Sequence, residues 1–209
     1  AADYAPSGYF SNCIMERTYA KYDDGILSFH YDTGFAGSDG DIYFNLERAK
    51  KTDKWGVHNE EITKVVFEEN LRDAWDYSIE STAHWFNGCV NLETIEGLEY
   101  LNTESVTSMY AMFNGCKKLR ILDLTELHTE NVKNMSYMFN GCSNLRLIFA
   151  ETENFDTRNV TKSDMMFNGC TKLKGYFEMA ECAYNPNNVD VYAADYAPSG
   201  YFSNCIMER

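Results

Sequence analysis

The sequence predicts an α/β repeat protein, a solenoid of about five coils behind an N-terminal β-rich cap. The main observation is a string, FNGC, that recurs at residues 86–89, 113–116, 139–142 and 167–170, with a degenerate copy, FSNC, at 202–205. A second is the leucine that stands three residues after the cysteine in each of the four FNGC copies. Self-similarity at a period of roughly 20–50 residues is the signature of stacked repeat architectures.

The half of each unit after the cysteine shows a strand pattern. In the first three units, the leucine is followed by apolar or small residues at its third and fifth positions, as in Leu119, Leu122 and Leu124. This L-x-x-L-x-L spacing is the strand signature of leucine-rich repeats. The fourth unit, with Tyr176 and Glu178 at those positions, fits less well.

The half before the cysteine shows a helical spacing. Val106, Met109, Met112 and Phe113 lie at relative positions 0, 3, 6 and 7, and the next unit repeats them. This spacing is typical of one face of a helix of about two turns. The glycine of FNGC would then end the helix, because glycine adopts a left-handed conformation at the least cost. The fold class predicted is therefore a leucine-rich-repeat solenoid of short helices and strands, with the strands in one parallel sheet.

Residues 18–67 lack the repeat and are predicted to form a β-rich cap on the solenoid at 68–209, since an open solenoid end exposes its core. Apolar and polar residues alternate over 26–32, and strands are also expected over 42–47 and 62–67. The Gly- and Asp-rich stretch at 34–41 predicts a hairpin that joins the first two strands.

The repeats resemble the BspA-type leucine-rich repeats of bacterial surface proteins. The resemblance is carried by SMYAMFNGCKKLRILDLTELHTENV, NMSYMFNGCSNLRLI and the entry segment IEGLEYLNTESVTSMYAMFNGC, and it covers about residues 63–182. The upstream run YAKYDDGILSFHYD resembles the β-rich segment that often precedes such repeats. The resemblance implies a protein exposed at the cell surface, in a family where some members adhere to host proteins or other cells. Ser163 departs from the expected methionine, and the last unit is long and tyrosine-rich.

Residues 1–17 and 193–209 are identical, at an offset of 192 residues. We interpret the chain as one 192-residue period of a near-identical tandem array, in which 1–17 is a copy of the closing coil of a preceding module; an artificial duplication is the alternative. No signal peptide is expected from AADYAPSGYF, which lacks a basic and an apolar region. Aromatic residues suited to an interface mark this module junction: Tyr4, Tyr9, Phe10, Tyr192, Tyr196, Tyr201 and Phe202.

The net charge and the motifs of the chain limit the classes of partner, activity and metal site that are expected. A net charge of −14 repels phosphate backbones, so no nucleic-acid partner is expected. No apolar stretch approaches the roughly 20 residues of a membrane span. No P-loop, nucleophile elbow or zinc-protease motif is present, so we expect no enzymatic activity and no cofactor. The acidic turn at 39–41 could hold Ca²⁺ but lacks the ligand spacing of an EF-hand, so a solvated turn and no metal are expected.

Five cysteines share one repeat position: Cys89, Cys116, Cys142, Cys170 and Cys205. Stacked coils would place successive Cα atoms about 5 Å apart, which is within disulfide range. Each cysteine would, however, have a neighbour on both sides. We expect a structural ladder of buried free thiols, with disulfides as the alternative. No close C-x₂-C pair suggests zinc.

The strand face is where repeat proteins usually bind partners. An apolar patch would form there if four side chains point outward: Ile121, Leu147, Phe149 and Phe177. The alternative is that some of them turn inward and fill the core. The expected function is that of a non-enzymatic structural module of a bacterial extracellular fibre or cell-surface stalk; the alternative is a surface adhesin that binds a protein on this concave face. The expected partners are the protein itself, head-to-tail in an array or filament, and host or neighbouring-cell proteins.

Overall fold

The computed structural model describes residues 16–44, 46, 55–74, 78–150 and 153–173. The described residues form strands, turns and short 3₁₀ helices, and none of their helices could cross a membrane. The 3₁₀ helices are Trp55–His58, Glu69–Asp73 and Leu98–Tyr100. The strands are β1 (Arg17–Asp23), β2 (Ile26–Asp32), β3 (Asp41–Tyr43), β4 (Lys64–Phe67), β5 (Thr94–Glu96), β6 (Ile121–Asp123) and β7 (Leu147–Phe149).

The N-terminal strands differ in pairing from the expected hairpin. The strand predicted over 26–32 is confirmed as β2, while β3 and β4 are shorter than predicted. β2 pairs antiparallel with β1 and not with β3, which lies on the other side of β1. The hairpin turn is formed by Asp24 and Gly25, with φ values of 43° and 81°. Positive φ at both central residues is what a tight two-residue hairpin requires, and the predicted hairpin across 34–41 is therefore wrong.

One sheet joins the N-terminal strands to the first repeat unit. Its strand order is β3-β1-β2-β4-β5, and the last two pairings are parallel. Aromatic rings pack beneath it: Phe29 stacks on Phe67 at 4.5 Å and on Trp85 at 5.3 Å between ring centroids. The indole nitrogen of the fully buried Trp55 donates to the Trp85 carbonyl oxygen at 2.7 Å. The core of the N-terminal strands is thus continuous with that of the repeats.

The prediction of an α/β leucine-rich-repeat solenoid was wrong, because the described residues contain no α-helix. The apolar stripe of Val106, Met109, Met112 and Phe113 is fully buried, but it lies on a series of turns. A residue with left-handed φ interrupts each described series, at 53° for Ala111 in this unit; its counterparts are His84, Tyr137 and Met165. A right-handed helix cannot pass through such a residue.

The backbone hydrogen bonds explain why turns replace the helix. The amides of Met112 and Asn114 close four-residue turns within the unit, by donating to the Met109 and Ala111 carbonyl oxygens at 3.2 and 3.3 Å. The amides of Ala111, Phe113 and Gly115 instead donate to carbonyl oxygens of the next unit, at 2.9, 2.9 and 2.7 Å. An α-helix keeps its amide bonds within one segment, whereas here alternate amides join neighbouring units into a stack. The predicted fifth coil, at 202–205, lies outside the described residues.

The strands of the units do not form the single parallel sheet that was expected. β6 pairs with β7 in a separate two-stranded sheet, so the sheet is interrupted between β5 and β6. Gly97 follows β5 with a φ of 71° and begins the turn into the 3₁₀ helix Leu98–Tyr100. A Cβ atom at Gly97 would overlap the Phe67 carbonyl oxygen. Glycine is therefore required where the chain leaves the sheet.

Replacing Gly97 by alanine should destabilise the fold far more than the same change at Gly37. Both residues have positive φ, at 71° and 80°, but a Cβ at Gly37 meets nothing within 4 Å. We expect the free energy of unfolding to fall by more than about 3 kcal/mol for Gly97→Ala and by about 1 kcal/mol for Gly37→Ala. Urea denaturation measures both values, and equal losses would show that the contact with Phe67 is unimportant.

Candidate functional site: the repeat stack

The first residues of the four FNGC motifs form a phenylalanine column through the centre of the stack. The rings of Phe86, Phe113, Phe139 and Phe167 follow one another at 5.5, 5.8 and 5.4 Å between centroids, and all three pairs are stacked. All four side chains are fully buried. Full burial of one phenylalanine is worth roughly 1.5–3 kcal/mol, so the column contributes much of the cohesion between units.

The second residues of the motif form an asparagine column beside the first. The side-chain nitrogen of Asn114 donates to the side-chain oxygen of Asn87 at 2.7 Å, and Asn140 donates to Asn114 at 2.7 Å. Asn168 donates to Asn140 at 2.8 Å. Each amide thus donates to the preceding unit and can accept from the following one. The column has a direction, and its last member in the described residues is Asn168.

The motif cysteines form a third column of buried thiols. The Sγ atoms of Cys116, Cys142 and Cys170 donate to the carbonyl oxygens of the preceding units' phenylalanines at 3.3, 3.0 and 3.0 Å. These three and Cys89 are buried and free of disulfides, whereas Cys205 lies outside the described residues. Burial raises the pKa of Cys89 to about 12. A buried thiol that stays protonated is unreactive, so the column has a packing role.

The predicted partner-binding patch is only partly within the described residues. Ile121 and Leu147 are neighbours in the parallel pairing of β6 and β7, and Phe149 lies two residues further along β7. The side chain of Ile121 is 57% exposed, and Leu147 and Phe149 are half-buried. The alternating residues Leu122 and Ile148 are buried and face the core. Phe177 lies outside the described residues.

A polar groove of about 440 Å³ lies where the sheet is interrupted, between β5 and β6. The guanidinium carbon of Arg72 lies 4.6 Å from the centre of the Tyr100 ring at this site. Three carboxylates, those of Glu99, Asp123 and Glu126, line the groove with Arg72. The groove could not be predicted from the sequence, because it depends on how Gly97 diverts the chain.

The acidic turn at 39–41 is tied to a histidine. The Nε2 atom of His58 lies 2.7 Å from Asp41, and its Nδ1 atom lies 2.9 Å from Glu61. Burial alone lowers the pKa of His58, but its hydrogen bonds to Glu61 and Asp41 outweigh burial and raise that pKa above its ordinary value. The ring also stacks on Tyr22 at 3.8 Å. These contacts fix the turn to the Trp55–His58 helix, and the described residues hold no group of three or more potential metal ligands.

The residues of the predicted module junction all lie outside the described residues: Tyr4, Tyr9, Phe10, Tyr192, Tyr196, Tyr201 and Phe202. The asparagine column, in contrast, is a feature that sequence reasoning missed. Its signal was present, because an asparagine stands at the same position of all four FNGC motifs.

Comparison with known proteins places the repeats in a family. Residues 50–181, more than half of the chain, match the family described as "Mycoplasma protein of unknown function, DUF285". This match agrees only loosely with the resemblance to BspA-type repeats. A leucine-rich repeat protein of known crystal structure from Eubacterium ventriosum is 14% identical to this chain, with a TM-score of 0.26. The comparison covers 68% of this chain and 44% of that one. No curated protein matches the sequence.

Replacing Asn114 by alanine should destabilise the stack more than replacing Asn131. Asn114 donates one column bond and accepts another, whereas the exposed Asn131 makes a single bond, to the Glu104 carbonyl oxygen at 2.8 Å. We expect the free energy of unfolding to fall by about 2–3 kcal/mol for Asn114→Ala, because a partly buried neighbour loses its partner, and by less than about 1 kcal/mol for Asn131→Ala. Urea unfolding measures both, and a small loss at Asn114 would contradict a stabilising column.

Proposed function

The chain belongs to the DUF285 family, and on that premise we propose that it is a non-enzymatic structural module of a bacterial extracellular fibre or cell-surface stalk. Near-identical modules of 192 residues would follow one another in tandem. The non-enzymatic part of the proposal is supported by the sequence, which carries none of the common nucleophile, nucleotide-binding or zinc-protease motifs.

The observation that carries the proposal is the identity of residues 1–17 and 193–209. Seventeen matching residues at an offset of 192 do not survive between repeats that have diverged. Arg17, the last residue of the first copy, is also the first residue of β1. In a tandem array, residue 209 would likewise begin the first strand of the next module, and each 17-residue copy would form the joint.

The construction of the stack supports a mechanical role. Consecutive units are joined by backbone bonds, by stacked phenylalanine rings and by asparagine side chains. These bonds repeat from unit to unit in one direction, so each module contains a stack with a defined axis along which modules can follow one another. Burial raises the pKa of the Cys89, Cys116 and Cys170 thiols, which protects these thiols from oxidation outside the cell.

The length of the native protein tests the proposal. We expect the intact mass of the native protein, and the reading frame that encodes it, to contain several near-identical periods of 192 residues. Limited proteolysis of intact cells should release fragments from this protein and spare a cytoplasmic control protein. A native protein with a single period, or one that is protected until the cells are lysed, would refute the stalk.

Adhesion is a second candidate, favoured by the exposure of Ile121. A 57% exposed isoleucine beside the half-buried Leu147 is an apolar feature that a protein partner could cover. Ile26 is also exposed, at 42%, but lies on β2, away from β6 and β7, and serves as a matched control.

If the β6–β7 face binds host or neighbouring-cell proteins, Ile121→Asp should reduce binding of the full chain to intact epithelial cells at least about 10-fold, because a charge is then buried in the interface. Ile26→Asp should leave the binding unchanged. Flow cytometry with the labelled protein measures both variants. Equal binding by wild type and Ile121→Asp would exclude this face as the adhesive surface.

A further inference from the structure

We propose that the end of the stack at Asn168 is a docking surface for residues 202–205 of the same chain, which continue the three columns as a further unit. This inference rests on the proposed function, because residues 193–209 would form the joint between modules. It specifies the contacts that hold the joint.

The end of the stack has groups that are paired in every earlier described unit. In the preceding unit, the amides of Tyr137 and Gly141 donate to Asp164 and Asn168 carbonyl oxygens at 2.9 and 2.7 Å. The equivalent amides of Met165 and Gly169 have no acceptor within the described part of the chain. The side-chain oxygen of Asn168 also has no donor there, although the oxygens of Asn87, Asn114 and Asn140 each accept one. Met165, Asn168 and Gly169 are half-buried, and a further unit would pair these groups as the equivalent groups are paired in the preceding unit.

The FSNC segment supplies the matching groups. Aligned with the motif at 167–170, it places Phe202 on the phenylalanine column, Ser203 at the asparagine position and Cys205 at the cysteine position. The Ser203 hydroxyl can donate to the side-chain oxygen of Asn168. Because serine has no side-chain amide, the column of asparagine amides would end at Ser203. Asn204 takes the place of the motif glycine, which has a φ of 79° at Gly169. After glycine, asparagine is among the residues that best tolerate this conformation.

The tethered segment is favoured over the same segment of a second copy. Residues 10–13 have the same letters as 202–205 and could make the same contacts. The segment at 202–205, however, is attached to the surface by about 30 residues, so its effective concentration is on the order of millimolar. Closing a loop of this length costs little more than closing a shorter one.

The identical termini provide a matched pair of variants for the test. Phe202→Ala and Phe10→Ala make the same change in the same local sequence, and both are made in the full chain. Labelling of each cysteine by a maleimide under native conditions is then followed by peptide mass spectrometry. We expect labelling of Cys170 to rise at least about 10-fold in Phe202→Ala, because local opening exposes the end of the stack, and to stay unchanged in Phe10→Ala. Cys89, at the other end of the stack, should stay protected in both, which separates local opening from unfolding.

Three results would overturn the proposal. Equal labelling of Cys170 in both variants, or protection of Cys170 in Phe202→Ala, would show that residues 202–205 do not cover the end. An increase confined to Phe10→Ala, with a dimer in sedimentation velocity that this variant abolishes, would show that a second copy is the occupant. A native protein of several 192-residue periods whose Cys170 is unaffected by Phe202→Ala would refute the docking and leave the stalk intact. A native protein of a single period that shows the predicted labelling would refute the stalk and support the docking.

Discussion

The structure depends on the fact that each repeat unit satisfies only part of its backbone hydrogen bonds by itself. In the turn region of the second unit, alternate amides close local turns, and those between them donate to the next unit. A unit on its own would leave these donors without acceptors, and a buried unpaired amide costs about 1–3 kcal/mol. Stability therefore comes from stacking. At each end of the stack, the outermost unit lacks one neighbouring unit, so other residues must pair its free backbone groups.

The repetition of FNGC follows from the same constraint. Phenylalanine stacks on phenylalanine, asparagine bonds to asparagine, and cysteine donates to the carbonyl oxygen of the preceding phenylalanine. A change at one position of one unit therefore disturbs the contacts of both neighbours. Surface positions are less constrained than these buried positions. Some of their charged side chains pair across units, such as Lys118 with Glu93 at 3.3 Å. Exposed pairs of this kind contribute little, and their residue types are free to vary from unit to unit.

Much of the packing could be predicted from spacing, and much of the backbone could not. The buried stripe and the strand at 26–32 follow from apolar periodicity alone. The prediction of a helix was wrong, because the spacing of apolar residues indicates which side chains are buried but does not indicate the sign of φ. Residues such as Ala111 and Tyr137 adopt a left-handed conformation that their residue types do not favour. The Asp24–Gly25 turn was visible in the sequence, since Asp-Gly between alternating apolar residues is a strong hairpin signal.

The candidate site was predictable to a similar extent. The cysteine position was evident from its period, and Ile121 followed from the alternation of the strand. The groove beside Arg72 was not predictable, because the pattern that ends in Gly97 has the same length as the pattern that ends in Leu124. Only the three-dimensional structure shows that the backbone at Gly97 passes so close to the Phe67 carbonyl oxygen that no Cβ atom fits. The chain leaves the sheet at this point, and the sheet is interrupted between β5 and β6.

The two ends of the described stack are chemically different, and this difference gives the molecule a direction. At the first unit, the side-chain amide of Asn59 donates to the Asn87 carbonyl oxygen at 2.6 Å, and β4 pairs with β5. The Cys89 thiol likewise lies 3.9 Å from the side-chain oxygen of Asn59. The N-terminal segment thus pairs the first unit with residues that are not part of a repeat, and no further unit can be added there. The other described end presents the side-chain oxygen of Asn168 and the amides of Met165 and Gly169, which are groups that a repeat unit pairs with. A further repeat unit can therefore extend the described stack at the Asn168 end, whereas the N-terminal segment already occupies the other end.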